Sequence, residues 1–253
     1  MSNYRKKKHI IRTASYMASV FIWLLIWQMA AVVIDNQMFL PKPMTVIDVL
    51  IVNLLPSAEF WHSLMASVLH IGCGFIIGAV IGILFAVISS VSVVAEGFIW
   101  LPMKVIKSVP VASFVILSLL WFDADELSVV IAAMVVMPII YTNTFTGIRQ
   151  TDVKLLEMAQ VFRVSKVKRI SNIYIPNALP YVLSAVSLSV GMAWKAGIAA
   201  EIIGLAKNSI GNELYKAKLY LMIPELFGWT IVIVLLSIMC ECFIKILISR
   251  LNN

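Results

Sequence analysis

The sequence predicts an all-α, polytopic membrane protein with about six transmembrane helices and both termini in the cytoplasm. Of its 253 residues, 61% are hydrophobic and only 13% are charged. A soluble domain carries roughly 25% charged residues, so this chain has too few polar side chains to cover a water-exposed surface. Its apolar residues fall in stretches of about 20, the length that crosses a bilayer as a helix, and its basic residues collect at the ends of these stretches.

Six apolar stretches are long enough to span the membrane. They are Ala14–Ile34, Leu64–Val87, Lys104–Phe122, Leu127–Ile148, Leu179–Ile203 and Leu226–Leu247. Residues 1–13 are predicted to be a basic cytoplasmic tail, because no cleavage motif follows the first apolar stretch. The segment LPKPMTVIDVLIVNLL, between the first two stretches, is amphipathic and too short to span, which predicts a location at the membrane surface. Residues 1–253 are therefore predicted to form one transmembrane domain in the lipid bilayer.

The net charge of +7 is explained by membrane topology. Lys and Arg concentrate in cytoplasmic flanks, and an inside N-terminus places most of them on the cytoplasmic side. A nucleic-acid-binding protein would carry its bases on one face, interleaved with aromatic residues. No nucleic-acid partner is therefore predicted.

Small residues and prolines interrupt the second and third stretches. Gly74, Gly78 and Gly82 recur every four residues, which predicts a smooth helix face where another helix packs closely. Pro102 and Pro110 lie at the inner end of the third stretch, where a broken helix is tolerated if protein or water meets the freed carbonyls. Two interpretations remain open here: a kinked segment that lines a pathway, or a plain bend at the interface.

The sequence predicts no catalytic residue and no metal site. It contains neither a G-x-x-x-x-G-K-[ST] phosphate loop nor an H-E-x-x-H zinc motif. The three histidines lack a neighbouring second ligand, and Cys240 and Cys242 are two residues apart and point to different sides of a helix. The chain is therefore not expected to be an enzyme.

One polar segment separates the fourth and fifth stretches. Thr151–Asn172 is too polar to cross the membrane and exceeds the roughly 2 to 8 residues of an ordinary helix connection. Read as a helix, it places Leu155, Ala159 and Phe162 on or near one face. The segment is either an amphipathic helix held to anionic lipid by its bases or a docking element for a cytoplasmic partner.

The sequence LLEMAQVFRVSKVKRISNIYIPNALP, which contains this segment, resembles a known family. Glu157, Ala159, Ile173 and Pro176 match the pattern E-A-A, three residues, G, nine residues, I-x-L-P. That pattern is the cytoplasmic loop of permease subunits in type I binding-protein-dependent ABC importers. Further motifs, including FWHSL, SVPVASFVILSLLWF, MPIIYTNTFTGI and NALPYVLSAVSLSVGMAWKAGIAAEIIG, resemble the nitrate, sulfonate, taurine and bicarbonate branch.

The resemblance implies a MetI-like permease fold and a homodimer of this chain in the bacterial cytoplasmic membrane. Its implied partners are two ATP-binding cassette ATPase subunits, which bind ATP and magnesium, and an extracytoplasmic substrate-binding protein. This chain itself would bind no cofactor. Residues 151–175 would form the coupling loop, and its ATPase-coupling residues would be Glu157, Met158, Ala159, Phe162, Arg163, Ile173, Ile175 and Pro176.

Two of the departures from the family pattern matter for the geometry of the loop. Met158 replaces the first Ala, and Arg163 replaces the Gly. A Gly at that point allows a turn with positive φ, which a non-Gly residue adopts at a cost of about 1 kcal/mol or more. We therefore expect either that the helix continues through Arg163 or that the turn takes another form.

Charged residues inside the fifth stretch suggest a transport path. Lys195 and Glu201 lie at a depth where charge is costly, and six residues apart on a helix they point about 120° away from each other. Lys195 favours a small anion such as a sulfonate or nitrate, but a lysine that snorkels outward or pairs with a carboxyl group would have no such role. The candidate path residues are Lys195, Glu201, Trp194, Pro110 and Ser113.

Three alternatives stay open at this stage. A stand-alone secondary carrier or channel would show internal repeats with broken helices, and no repeat is evident. A purely structural scaffold would not need a polar docking loop. Related importers also carry pyrimidine precursors of thiamine, so the substrate is not fixed. The outer segment GLAKNSIGNELYKAKLYLMIPELFGW is either a docking surface for the binding protein or a plain connection.

Overall fold

A computed structural model describes the backbone of residues 2–251 and the side chains of residues 14–250. The described residues form helices joined by short turns, with no strand among them, which confirms the predicted all-α class. The side chains of the predicted basic tail, residues 1–13, lie outside the described set. In chain order the helices are α1 Ser2–Ile34, α2 Pro43–Asp48, α3 Ala58–Val91, α4 Val93–Ser108, α5 Val111–Ser118, α6 Leu127–Arg149, α7 Val153–Val161, α8 Lys166–Arg169, α9 Ile175–Gly204, α10 Ile210–Leu219 and α11 Ile223–Leu251.

Membrane-spanning helices account for most of the chain. Within the described residues, α1, α3, α6, the continuous run of α8 into α9, and α11 are long and apolar enough to cross a bilayer. They contain five of the six predicted spans and confirm a polytopic membrane protein. A π-helical turn, Val49–Leu54, extends α2 through the short amphipathic segment predicted between the first two spans.

The third predicted span, Lys104–Phe122, is wrong as a single helix. The chain instead breaks between α4 and α5, whose axes differ by 104°. Val109 is extended, with φ −80° and ψ 134°, because a residue that precedes proline avoids the helical region. Pro110 then precedes the first residue of α5 as its N-cap, and it has no N–H to donate to the preceding turn.

The bent pair carries the chain across the membrane between two parallel helices. The three glycines of α3 face α6 in rising order: Gly74, Gly78 and Gly82 lie against Val129, Ala133 and Met137. Parallel neighbours need a return crossing between them, and α4 with α5 supplies it. Met103 of α4 packs with Ala86 and Tyr141, whereas Val115 of α5 packs with Leu127. Therefore α4 packs near the C-terminal end of α6, and α5 packs near its N-terminal end.

An extensive helix contact joins α6 and α9, which run antiparallel. Gly147 of α6 lies against Tyr181 near one end, and Gly204 of α9 lies against Leu127 at the other. The buried cluster Val115, Leu127, Ile131, Ala196 and Ala200 fills the outer half of this contact. Small side chains at these crossings let the helix backbones approach closely.

The chain divides into two compact units, residues 61–213 with 232–253 and residues 1–60 with 214–231. In the second of these, Trp27 stacks on Phe227 at 5.8 Å between ring centroids, and Phe60 stacks on Trp229 at 5.0 Å. Trp27 also donates its indole N–H to the Pro41 carbonyl at 3.1 Å. The prediction of one domain over residues 1–253 stays a prediction.

Candidate functional site

The predicted coupling loop contains a separate short helix, α7. Asp152 caps its N-terminus and accepts a hydrogen bond from the Lys154 N–H at 2.9 Å, which satisfies one of the amides that the first helical turn leaves free. Glu157 lies in the middle of this helix. The segment therefore has the secondary structure that its polar length predicts.

Arg163 ends α7 in the left-handed conformation, with φ 49°. The Val164 N–H donates to the Ala159 carbonyl at 2.9 Å, and the Arg163 N–H donates to the Gln160 carbonyl at 3.0 Å. These two bonds define a Schellman motif with Arg163 at the position that usually holds glycine. Both expected outcomes are therefore wrong: the helix does not continue, and the turn keeps its form with arginine in place.

The predicted coupling residues differ in exposure. Ala159 is 2% exposed, whereas Phe162 is 75% exposed. Glu157, Met158 and Arg163 are also exposed. Downstream, Ile173 is half-buried, and Ile175 and Pro176 are exposed at the start of α9, where proline in the first helical turn is tolerated. Glu157, Met158 and Phe162 thus leave a mixed acidic and apolar surface on α7.

Two polar residues of α9 hold the start of this loop in place. Asn177 donates its side-chain N–H to the Gly147 carbonyl at 2.9 Å and to the Thr151 hydroxyl at 3.3 Å. Tyr181 donates its hydroxyl to the Gln150 side chain. The sequence interpretation missed both residues, although a polar side chain in the first turns of a membrane helix is the signal that would have indicated them.

Glu201, predicted to line a path, lies fully buried at the outer end of α9. Its Oε2 accepts hydrogen bonds from the Ser67 hydroxyl at 2.8 Å and from the Gly211 N–H at 3.1 Å. Ser67 in turn accepts from the Ile210 N–H at 2.9 Å. Glu201 therefore joins α9, α3 and the first turn of α10. Its Oε1 has no hydrogen-bond partner among the described residues.

The carboxyl group meets the N-terminus of α10, where backbone N–H groups lack helical partners and the helix dipole favours an acid. Gly211 allows this approach. A Cβ there would lie 2.7 Å from the Ile202 nitrogen and 2.8 Å from the Glu201 carbonyl carbon, both backbone atoms. Sequence analysis missed Ser67 and Gly211, because nothing local in the sequence relates them to Glu201.

The five candidate path residues do not form one cluster. Trp194 is buried and donates its indole N–H to the Ile233 carbonyl at 3.0 Å, so it joins α9 to α11. Lys195, Pro110 and Ser113 are exposed. Glu201 belongs to the buried hydrogen-bond group at the outer end.

A further acid lies in α11. Glu241 lies against Gly191 of α9 and 3.8 Å from the Lys245 ammonium. The sequence interpretation of the sixth span overlooked it, although an acidic residue inside an apolar stretch of about 20 is a signal for a functional or packing role.

These features describe a multi-pass helical bundle with a short, exposed amphipathic helix between two of its spans. Residues 74–253, well over half of the chain, match the family described as "Binding-protein-dependent transport system inner membrane component". The chain belongs to this family. It is a non-catalytic permease subunit of a binding-protein-dependent ABC importer in the bacterial plasma membrane, and its ATPase and binding protein are separate partners.

Relatives place the chain in the predicted branch. SsuC of Escherichia coli, named for aliphatic sulfonates transport, is 30% identical over 217 residues, which are 85% of this chain and 81% of that protein. The nitrate import permease NrtB of Synechococcus elongatus is 29% identical over 80% of this chain and 75% of its own length. The predicted importer permease of the sulfonate, taurine, nitrate and bicarbonate branch is confirmed.

Solved structures agree on the fold. A bacterial ABC transporter involved in the import of the acidic polysaccharide alginate matches with a TM-score of 0.61 at 16% identity, over 95% of this chain and 100% of the matched chain. The similarity confirms the MetI-like permease fold.

Proposed function

We propose that two copies of this chain form the translocation path for a small anion and that α7 couples each copy to an ATPase subunit. The ATPase binds ATP and magnesium, and this chain binds neither. ATP binding draws the coupling helices together and opens the path outward, and hydrolysis resets it. In physical terms, the bundle is a two-state element whose equilibrium the ATPase shifts by its differential affinity for the two states.

The exposed surface of α7 is the observation that supports this proposal. Met158 and Phe162 are 51% and 75% exposed on a helix beyond the membrane-spanning part of the chain. Large apolar side chains exposed to the cytoplasm are typical of protein interaction sites, and a short amphipathic helix fits a groove on a partner. Glu157 adds an acid that the partner can recognise.

The loop's connection to α9 supports a mechanical role. Asn177 and Tyr181 of α9 bind the residues that precede α7, so a displacement of the loop acts on the inner end of a membrane-spanning helix. At the outer end of α9, Glu201 binds α3 and α10. A shift imposed at the cytoplasmic side therefore has a continuous helical route to the outer side.

The names of the relatives and the charge of Lys195 support a small anion as the substrate. Two relatives are named for the transport of sulfonates and nitrate, which are both small anions. Lys195 is exposed on the single chain but lies within the fifth span, and a cation at that depth beside the proposed path favours an anionic solute. A small oxyanion is therefore the proposed cargo, and the binding protein selects among them.

Co-purification with the ATPase and the binding protein of the same importer tests the proposal. Glu157→Ala is expected to lower the apparent affinity for the ATPase roughly tenfold or more, as loss of an interface anchor does, and to abolish anion-stimulated ATP hydrolysis. The matched control is Asp48→Ala, which removes one exposed acid from α2 on the outer side. The native mass of the assembled complex reports whether it holds two copies.

Transport without ATP would contradict the proposal. If the chain alone moves an anion across liposomes, the protein acts as a stand-alone carrier. If Glu157→Ala and Asp48→Ala couple to hydrolysis equally well, α7 is not the coupling element.

A further inference from the structure

A cavity of about 580 Å³ opens at the cytoplasmic ends of α3, α6 and α9. Its walls are mostly aliphatic and include Ile83, Val87, Leu179 and Val182. The volume falls in the range of roughly 300 to 1,000 Å³ that ligand sites occupy. We call this cavity the inner groove.

Two bases lie at the inner groove, contributed by α8. Lys166 and Arg169 both line it, and no Asp or Glu does. Neither side chain makes an ion pair or a hydrogen bond with any described residue, and the Arg169 Nε is buried without a partner. A buried guanidinium nitrogen that lacks an acceptor is costly. The inner groove therefore holds an unsatisfied donor that an anionic oxygen would satisfy.

The wall also holds a buried hydroxyl group. Thr144 of α6 is 3% exposed, lines the inner groove, and its hydroxyl has no hydrogen-bond partner within the described residues. Threonine hydroxyls in membrane helices ordinarily bond to a backbone carbonyl one turn earlier, as the neighbouring Thr142 does with Pro138 at 2.7 Å. Thr144 therefore has a donor available to a molecule in the inner groove.

We propose that the inner groove binds one anionic phospholipid of the cytoplasmic leaflet. The phosphate lies between Lys166 and Arg169, an acyl chain lies along the aliphatic walls, and the Thr144 hydroxyl donates to an ester oxygen of the glycerol backbone. Basic pockets between membrane helices on the cytoplasmic side suit such head groups. Lys166 and Arg169 belong to the predicted coupling loop, residues 151–175, but the site uses no residue of α7.

Lipid titration of the purified full-length chain, followed by native mass spectrometry, tests this proposal. One molecule of phosphatidylglycerol is expected to bind to each chain. Its affinity is expected to be higher than that of phosphatidylcholine with the same acyl chains. The double variant Lys166→Gln/Arg169→Gln is expected to weaken phosphatidylglycerol binding roughly tenfold or more. The charge-matched control is Lys154→Gln/Lys168→Gln, because both of these lysines are exposed and neither lines the inner groove.

Two further variants test the walls independently of charge. Leu179→Trp fills the inner groove and is expected to weaken the binding of both lipids, whereas Leu188→Trp, on an exposed part of α9 outside it, should leave both unchanged. Thr144→Val keeps the side-chain shape and removes the hydroxyl, so it should lower phosphatidylglycerol affinity severalfold. Thermal unfolding of each variant confirms that it is folded.

Three results would overturn the proposal. Equal affinity for the two lipids would remove the role of the head-group charge. An equal loss of phosphatidylglycerol affinity in the two charge variants would mean that the lipid responds to the overall positive charge of the loop and not to a site in the inner groove. If Lys166→Gln/Arg169→Gln retains phosphatidylglycerol but no longer captures the ATPase, the inner groove accepts an acidic protein segment instead of a lipid.

Discussion

A glutamate lies near each end of α9, and the two differ in burial and in hydrogen bonding. At the outer end, Glu201 is fully buried and binds Ser67 and Gly211. At the inner end, Glu157 of the adjoining loop is exposed and has no ion pair with any described residue. The outer polar group is satisfied mainly by the chain's own atoms, whereas the inner one awaits a partner.

This difference separates the part of the protein that folding completes from the part that assembly completes. A buried acid joined to three helical elements fixes their spacing, because each lost bond leaves a buried donor unsatisfied. An exposed acid and its apolar neighbours stabilise nothing within the chain, so they are free to be selected for binding. The same residue type is therefore expected to affect stability at one end and coupling at the other.

Replacement of Glu201 is the largest expected effect. Glu201→Ala leaves the Ser67 hydroxyl and the Gly211 N–H buried without an acceptor, at a cost of roughly 2 to 4 kcal/mol in the free energy of unfolding. Glu201→Gln keeps an acceptor oxygen and should lose less. Chemical denaturation in detergent micelles measures both variants beside Glu157→Ala, which should match the unaltered protein.

Equal stability of Glu201→Ala and Glu157→Ala would remove the distinction between the two ends. It would mean that water or a rearranged α10 satisfies the donors that Glu201 now binds.

The second largest expected effect concerns the close contact between α3 and α6, which lies between the outer and inner ends of the bundle. A Cβ on Gly78 would lie 2.5 Å from the Ala133 carbonyl oxygen and 2.9 Å from its Cα. These are backbone atoms that cannot rotate away, so Gly78→Ala should force the helices apart and destabilise the protein by about 1 to 3 kcal/mol. The same denaturation experiment measures it.

Gly72 provides the matched control on the same helix. A Cβ there meets nothing within 4 Å, so Gly72→Ala should be neutral or stabilise the protein by roughly 0.5 to 1 kcal/mol through better helix propensity. If both alanine variants behave alike, the helices have room to adjust and the close approach does not limit stability.

The sequence predicted those features that depend on local periodicity. Apolar length located the spans, and the four-residue spacing of Gly74, Gly78 and Gly82 singled out the face of α3 that lies against α6. Pro102 and Pro110 were both predicted sites of a break or bend, yet Pro102 lies inside α4 and only Pro110 lies at the break. Neither proline predicted the 104° angle, because it depends on how α4 and α5 pack on α6. Because the apolar run is continuous in the sequence, it was predicted as one span although it forms parts of two helices.

Long-range polar contacts could not be predicted in this way. Ser67 and Glu201 are 134 residues apart in the chain, and no periodicity relates them. Glu201 attracted attention as a charge at depth, but its role depends on the position of α10, which only the folded chain defines. Asn177 is a similar case, because its bonds to Gly147 and Thr151 depend on the antiparallel packing of α6 and α9.

The smallest expected effect concerns the turn at Arg163, where the inner end keeps a strained backbone. Arg163→Gly removes the unfavourable side chain from a residue with φ 49° and should stabilise the turn by about 1 kcal/mol. Hydrogen exchange at the Val164 amide, which bonds to the Ala159 carbonyl, should then slow roughly fivefold. Arg163→Ala removes the same charge but keeps the strain, so exchange in that variant should stay near the original rate. Equal slowing in both variants would assign the effect to charge, and no slowing in either would mean that the Schellman bonds already hold the turn closed against its strain.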